Sequence, residues 1–319
     1  MVIWSLLYLV LAGFIVSTLV GFFGHYWWVF ELFSHFRVQY FIATFLFALV
    51  FALFGKFTAA ILAGSSALLN LLLLTPLYFR RKGPKAPGEV HRFLLANVNT
   101  SNPYHDKVRK LIEKTSPDLI VLVEVDQNWL DDLSLEEFGY VCSAAEPRED
   151  NYGIALFSRL PFISGEVVRF GGLGVPTVLT RLHQGRTILN IIGSHPPPPK
   201  SRRLARYRDQ QLEEIMDFTR NLEGAVIFCG DFNLTSWSPR FKRLLERGEL
   251  HDTRQGFGVQ GTWPTWMPLF FIPIDHIWIS SNIQVHCRRV ASRIGSDHQP
   301  VVLDFSIMAR NEAGKFRLT

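Results

Sequence analysis

Charge is spread so unevenly along this chain that it divides the fold before any element is assigned. Residues 1–79 carry three formally charged side chains, Glu31, Arg37 and Lys56, while the other 31 of 33 basic and 27 of 28 acidic residues lie in 80–319. So apolar a stretch cannot coat a water-soluble domain, but it can face a bilayer. Val2–Phe23 has no charge and is long enough to cross the hydrocarbon core. It lacks the basic start and small-residue cleavage site of a removable signal peptide. Residues 39–54 and 57–79 are two more apolar runs, parted by Gly55-Lys56, which reads as the turn of a tight helical hairpin. Three spans is the reading; two spans with an interfacial piece is the alternative.

Residues 25–36 are rich in aromatic side chains, among them Tyr26, Trp27 and Trp28. Trp and Tyr favour the headgroup layer, so this piece is expected to lie along the interface. Three spans put Arg37 on the same side as Arg80, Arg81, Lys82 and Lys85, with Lys56 opposite. Positive flanks mark the cytoplasmic side, which places the large domain there in a multi-pass cell-membrane protein. Residues 80–90, basic and then rich in Pro and Gly, are the expected linker. A transporter needs charged or strongly polar groups within its spans, and hydroxyls, Asn70 and the terminal Gln39 are all that these runs offer.

The remainder has an ordinary soluble composition. Its small basic excess implies mild attraction for phosphate-bearing partners without a dedicated nucleic-acid surface. Cys142, Cys229 and Cys287 are odd in number and far apart, so neither a disulfide framework nor a zinc site follows.

Residues 91–97 read as a strand ending at Asn97, 104–115 as an amphipathic helix and 119–123 as an apolar strand stopping at Glu124. That β-α-β opening sets Asn97 and Glu124 at equivalent ends of neighbouring strands. Strands are also expected at 152–161, 175–182 and 187–194. The last of them reaches His195, which a stiff Pro196–Pro199 run follows. A helix over 201–219 opens with Arg202, Arg203, Arg206 and Arg208, against its own dipole, so these face either solvent or phosphate. In Val-Ile-Phe-Cys-Gly-Asp-Phe-Asn-Leu (226–234), Gly230 breaks a buried strand, and Asp231 and Asn233, two apart, share a face. Asp275 lies near the start of a strand at 273–279, and Asp297-His298 sit in a Gly/Pro-bounded loop before the last strand, 301–305. Singly, these are turn caps or solvated strand ends. Together, Asn97, Glu124, His195, Asp231, Asn233, Asp275, Asp297 and His298 all fall where α/β sheets bind ligands. Oxygen donors with imidazoles and no cysteine cluster suit Mg²⁺ or Mn²⁺ better than zinc.

The order Asn97, Glu124 in Val-Leu-Val-Glu-Val, Tyr152-Gly with Ser158-Arg-x-Pro161, His195, Gly230-Asp-Phe-Asn233, Ile274-Asp-His276 and Ser296-Asp-His298 resembles the endonuclease/exonuclease/phosphatase superfamily, of the DNase I-like fold. The resemblance covers essentially all of 91–306. It implies a four-layer α/β (α+β) sandwich, with a catalytic domain over 91–306, a tail over 307–319 and an anchoring segment over 1–79. The apolar start and the His-Pro-Pro-Pro-Pro run look like the membrane-anchored bacterial members. Some of these work outside the cytoplasm, against the direction of the charge count. The resemblance further implies that Glu124 binds the metal ion, with Asn97 beside it and Asp297 contributing. Asp231 would orient or deprotonate water, Asn233 would hydrogen-bond the phosphate or nucleophile, and His195 would bind the scissile phosphate. His298 would transfer protons, its ring fixed by Asp275.

The function so implied is a membrane-anchored, Mg²⁺-dependent phosphoesterase acting on a phosphodiester, phosphomonoester or pyrophosphate bond. Its partners are the lipid bilayer and a phosphorylated substrate, and no protein partner is expected. Tethering favours a lipid-linked substrate, because local concentration rises for molecules in the same plane. The alternative is a membrane-tethered nuclease, which should show basic, aromatic-bearing loops. A non-catalytic headgroup- or partner-binding module would have lost one or more motif positions, and all are present.

Overall fold

The structure, a computed structural model, describes residues 2–79, 88–185 and 187–308. Residues 80–87 of the expected linker and 309–319 of the expected tail lie outside the described residues.

The apolar first quarter forms helices α1 (Val2–Val20), α2 (Trp28–Leu32), α3 (Arg37–Leu53) and α4 (Phe57–Leu74). With their continuations, Val2–Phe23, Trp28–Leu53 and Phe57–Tyr78 are long and apolar enough to cross a membrane. Gly55, at φ +68°, turns the chain between α3 and α4. Leu11, Phe51, Ala59 and Ala63 pack where the long helices meet, the alanines allowing close approach. Two expectations change here. Arg37, counted as a headgroup-side charge, is buried and donates to the Thr18 carbonyl at 2.7 Å and to Asn70 Oδ1 at 3.4 Å. Residues 25–36 do not simply lie along an interface: Tyr26 and Trp27 are exposed, but Glu31, Ser34 and His35 are buried. A carboxylate in so apolar a stretch needs a cation, and Glu31 finds one on the soluble domain.

That domain runs, in chain order, β1 (His91–Asn97), α5 (His105–Thr115), β2 (Leu119–Val123), α6 (Gln127–Leu133), β3 (Val141–Glu146), β4 (Ile154–Ser158), β5 (Phe162–Arg169), β6 (Pro176–Gln184), β7 (Thr187–Ser194), α7 (Arg202–Thr219), β8 (Ala225–Asp231), α8 (Pro239–Gly248), β9 (Leu250–Asp252), β10 (Asp275–Ser280), β11 (Ile283–Val290) and β12 (Val301–Ile307). Two six-stranded mixed sheets result, ordered β11-β12-β1-β2-β4-β3 and β5-β6-β7-β8-β10-β9. Each holds one parallel pair, β1–β2 and β7–β8, joined through α5 and α7.

Side-chain alternation builds the layers. Leu95, Val121 and Val123 of one sheet meet Ile191, Ile227 and Ile277 of the other. Leu94, Ile120 and Leu122 point the opposite way, onto Val108 and Ile112 of α5 and Trp129 of α6. Ile192, Phe228 and Trp278 do the same onto Leu212 and Met216 of α7 and Leu244 of α8. The result is an α+β fold of two mixed sheets flanked by helices. Cover on both faces explains why the central strands read as unbroken apolar runs. The sequence reading does not contain β3, β5, β9 or β11. Bulges break the alternation of β3, β5 and β11, and β9 has only three residues.

Candidate active site

The two parallel pairs deliver their carboxyl ends to one edge of the sandwich. Register sets Asn97 beside Val123, just before Glu124, and Gly193 beside Cys229, just before the His195 and Asp231 ends. Antiparallel β10 adds Asp275 directly across from Asp231. The backbone turns sharply here: Asn99 (φ +59°), Glu124 (φ +59°) and Asn233 (φ +50°) all occupy the left-handed region that side chains rarely adopt. Each such residue costs about 1–3 kcal/mol and persists only where its surroundings hold it. Asn233 is held by its N–H on Asp231 Oδ1 at 3.0 Å. At Gly230 a side chain has no room, since a Cβ would lie 1.8 Å from the Ser194 carbonyl oxygen.

The Asn97 amide bridges the sheets, donating to Glu124 Oε1 at 2.8 Å and to Asp231 Oδ2 at 3.2 Å. His195 Nδ1 lies 3.1 Å from the Asn151 carbonyl, which takes its N–H. That turns Nε2 towards Asp231 Oδ2 at 3.5 Å and Glu124 Oε1 at 3.8 Å. His298 Nδ1 is 2.9 Å from Asp275 Oδ2, and its Nε2 is 3.5 Å from Asp231 Oδ2. Asn233 Nδ2 donates to the Pro196 carbonyl at 3.2 Å and lies 3.5 Å from His195 Nε2. The structure thus joins Asn97, Glu124, His195, Asp231, Asn233, Asp275 and His298 in one run of contacts. Asp297 stands to the side, accepting from Asn99 Nδ2 at 2.8 Å and Trp263 Nε1 at 3.0 Å.

Burial pushes the Glu124 carboxyl above its ordinary pKa, more than His195 and Asn97 lower it. Burial also opposes the Asp231 anion, yet His298 and His195 outweigh it and bring the pKa down to about 2. For His298, burial is overcome by Asp275 and Asp231, and the pKa rises to about 10. His195 is raised for the same reason, by Asp231 and then Glu124 against burial. Around neutral pH the edge therefore holds an anionic Asp231 between two imidazoles that favour their protons.

Two groupings bring ligand atoms within 4.8 Å of one another: Glu124 with His195 and Asp231, and Asp231 with Asp275 and His298. Among the described residues, the ion-pair partners of Glu124 and Asp231 are these imidazoles alone. A buried Glu124 short of positive charge, in a set of hard oxygen donors, fits a divalent ion such as Mg²⁺ or Mn²⁺.

The edge opens into a cleft of about 570 Å³. Tyr152, Pro198 and Trp263 line it, and so do Leu32, His35 and Phe36 of the apolar quarter. His35 Nδ1 is 3.0 Å from Thr235 Oγ1. Glu31 accepts from Arg208 and Ser238, all three buried. Arg208 also reaches Asp209 Oδ1 at 2.7 Å and the Asn233 carbonyl at 3.1 Å. Arg208, read from sequence with the basic helix start, therefore faces inward, while Arg202, Arg203 and Arg206 are exposed. Sequence reasoning misses Asn151, His35 and Glu31 as parts of this site. The available signal was Glu31 itself, the one acidic residue in an apolar quarter.

A sequence profile of the Endonuclease/Exonuclease/phosphatase family matches residues 94–298. Among solved structures, the fold is similar to a humanized D. rerio TDP2 with 14 mutations, at 16% identity over 68% of this chain and 99% of that one, with a TM-score of 0.57. It is also similar to the human Nocturnin catalytic domain with bound sulfate, at 21% identity over 73% and 99% of the chains, TM-score 0.56. A third is the Neisseria 3′ phosphatase NExo bound to a product DNA hairpin, at 20% identity over 68% and 99%, TM-score 0.55. A search of curated proteins finds no match. The profile takes in every side chain from Asn97 to His298 that meets at the cleft, and the chain belongs to the endonuclease/exonuclease/phosphatase family: it is a metal-dependent phosphoesterase.

Proposed function

We propose a membrane-anchored, Mg²⁺- or Mn²⁺-dependent phosphoesterase whose scissile phosphate belongs to a lipid-linked substrate, as in the membrane-anchored bacterial type. The observation that carries this reading is the wall of the cleft: Leu32, His35 and Phe36, immediately before α3, border the space into which Asp231 and His298 point. A substrate entering there touches the apolar quarter. In this reading residues 1–79 are a three-span anchor, 80–90 a linker, 91–306 the catalytic domain and 307–319 a tail. Arg80, Arg81, Lys82 and Lys85 put that domain on the cytoplasmic side, with Arg37 no longer contributing because it is buried.

Glu124, with Asn97 and Asp297 nearby, would hold the ion, which when bound offsets charge on the phosphoryl oxygens. Asp231, ionised across the neutral range, orients the attacking water or takes its proton. His298 carries a proton for the leaving oxygen. Asp275 fixes its Nδ1–H and so aims Nε2 at the cleft. His195, anchored by the Asn151 carbonyl, and the Asn233 amide supply donors for a phosphate oxygen.

The test is hydrolysis of bis(p-nitrophenyl) phosphate by the purified full chain with Mg²⁺. Glu124→Ala and His298→Ala should each lower kcat/KM by about 10²–10⁴, and undiminished activity in either would sink the assignment. A membrane-tethered nuclease is the second reading. Exposed Lys200, Arg202 and Arg203 follow the Pro196–Pro199 edge and could track a phosphate backbone, and NExo holds DNA on a similar fold. A panel of DNA, RNA, phospholipids and polyprenyl pyrophosphates separates the two, since nuclease turnover should fall steeply with salt.

A further inference from the structure

We propose that the loop Trp266–Phe270 is a bilayer-inserted lip of the active-site cleft, a contact with lipid separate from the helical spans. The inference rests on the membrane-anchored reading above and adds a surface to it. From Gly261 to Ile274 the chain carries no charged residue. The base of this stretch is built into the site. Trp263 and Ile272 pair backbone to backbone at 2.6 and 3.0 Å and both line the cleft. Thr265 ties the loop to the Asp297-His298 turn through its N–H on the Asp297 carbonyl at 2.8 Å and its hydroxyl on the Ser296 carbonyl at 2.9 Å. The tip is the opposite of buried: Trp266 is 65% exposed, Leu269 74% and Phe270 44%.

Side chains of this kind, free of any charged neighbour in the loop, are poorly matched to water and well matched to the headgroup–acyl boundary. Where the loop sits decides between the possible occupants. The Phe270 ring meets Phe36 edge-on at 6.0 Å. The Phe271 carbonyl accepts from Gln39 Nε2 at 3.3 Å, and Gln39 belongs to the first turn of α3, within the candidate span Trp28–Leu53 and at the start of its uncharged apolar run over 39–54. The apolar tip is therefore continuous with the level at which α3 would enter the bilayer, and the exposed Tyr26 and Trp27 precede the same segment. A lipid surface is the occupant that this continuity selects. With the lip inserted, the cleft lies between residues 32–36, buried or half-buried against the catalytic domain, on one side and the lipid-contacting loop on the other.

The test uses the full chain in phosphatidylcholine/phosphatidylglycerol vesicles. Leu269→Cys is labelled with an environment-sensitive dye in a Cys142→Ser/Cys287→Ser background, Cys229 being buried. The control label is at Lys110→Cys, whose native side chain is 73% exposed. The label at 269 should be blue-shifted, quenched by brominated acyl chains and shielded from aqueous iodide, with the reverse at 110. Equal iodide quenching at both positions overturns the proposal. So does shielding at 269 that persists in detergent and follows protein concentration, which would indicate a second copy on the lip. Trp266→Cys repeats the measurement if the first variant does not fold, as judged by turnover of the soluble diester. A parent chain inactive on that diester would refute the catalytic reading and leave the quenching result to decide the lip by itself.

Discussion

Glu31→Gln isolates one charge at the contact between the apolar quarter and the catalytic turn. The Glu31 carboxylate is buried, accepts from Arg208 and Ser238, and has Arg240 Nε at 4.0 Å. Breaking a buried ion pair typically costs about 3–5 kcal/mol, because the remaining charge is left without a partner. Asp209 stays 2.7 Å from Arg208, and the new amide oxygen still accepts a hydrogen bond. The expected loss is therefore at the low end or just below it, about 2–3 kcal/mol. For a domain of this size that is a melting temperature lower by about 5–10 °C. Catalysis should respond too, since Arg208 holds the Asn233 carbonyl at 3.1 Å. A relaxed turn should lower kcat on a soluble diester about tenfold, with KM little changed. Arg208→Met leaves the buried Glu31 with Ser238 and only the distant Arg240, so the double variant should be more stable than Arg208→Met alone, with a coupling of about 2 kcal/mol. Tryptophan-monitored unfolding in detergent micelles and steady-state kinetics supply both readings. A Glu31→Gln chain matching the parent in melting temperature and kcat, or a strictly additive cycle, refutes the reasoning.

Other outcomes follow from single contacts. His276 is buried and gives its Nε2–H to the Leu234 carbonyl at 2.6 Å. Burial, then Arg254, hold its pKa down to about 3, against the opposing pull of Asp252 and with Arg288 adding to the depression. The unfolded chain takes up a proton near pH 6.5 that the native ring refuses, so this group lowers stability by about 1.4 kcal/mol per unit as pH falls from 6 towards 3. His276→Gln should flatten the acid limb of melting temperature against pH, and parallel curves would contradict this. Gly230→Ala sets a Cβ 1.8 Å from a carbonyl at φ +151° and should cost about 3 kcal/mol or more. Gly139→Ala, at φ +79° with nothing within 4 Å, should cost only about 1 kcal/mol; equal melting shifts would show that crowding at the β7–β8 edge is not the cause. Asp275→Asn removes the carboxylate on the buried His298 Nδ1 and should lower kcat about 10²-fold, with a melting-temperature loss of the size expected for Glu31→Gln because a buried ion pair is broken; a variant as fast as the parent would deny Asp275 that role.

What the sequence disclosed follows local chemistry. β1, β2, β7 and β8 are buried on both faces, so apolar runs with polar stops at Asn97, Glu124, His195 and Asp231 stand out. The bulged and short strands lack that pattern, β5 doubly so because its residues largely face water. The site was legible where a side chain's own neighbours mark it, as Gly230 marks Asp231. It was not legible where the partner is remote. Nothing local tells that Arg208 turns inward while Arg202, Arg203 and Arg206 face out, because Glu31 lies 177 residues away. Asn151 acts through its carbonyl, which every residue possesses, so no residue identity could reveal it.

The same remote contacts bear on what the proposed anchor would do. A catalytic domain on a flexible tether gains local concentration and samples every orientation. Here the contacts lie at both ends of the apolar hairpin. Glu31, His35 and Gln39 hold the Arg208, Thr235 and Phe271 positions before and at the start of α3. After α4, the Leu77 carbonyl accepts N–H groups of Gly256 and Gly258, each at 2.9 Å. A domain gripped on two sides cannot tumble about its linker, so the cleft keeps one attitude towards the plane in which the spans would lie. Under the proposed function, orientation would then add to concentration: a phosphate carried in that plane would arrive already aligned, with the entropy of alignment lost in folding rather than at each turnover. A chain cut before β1 would lose the Glu31 charge and the Leu32–Phe36 wall together. Its deficit on soluble substrates would therefore measure how far the anchor is part of the active site rather than its leash.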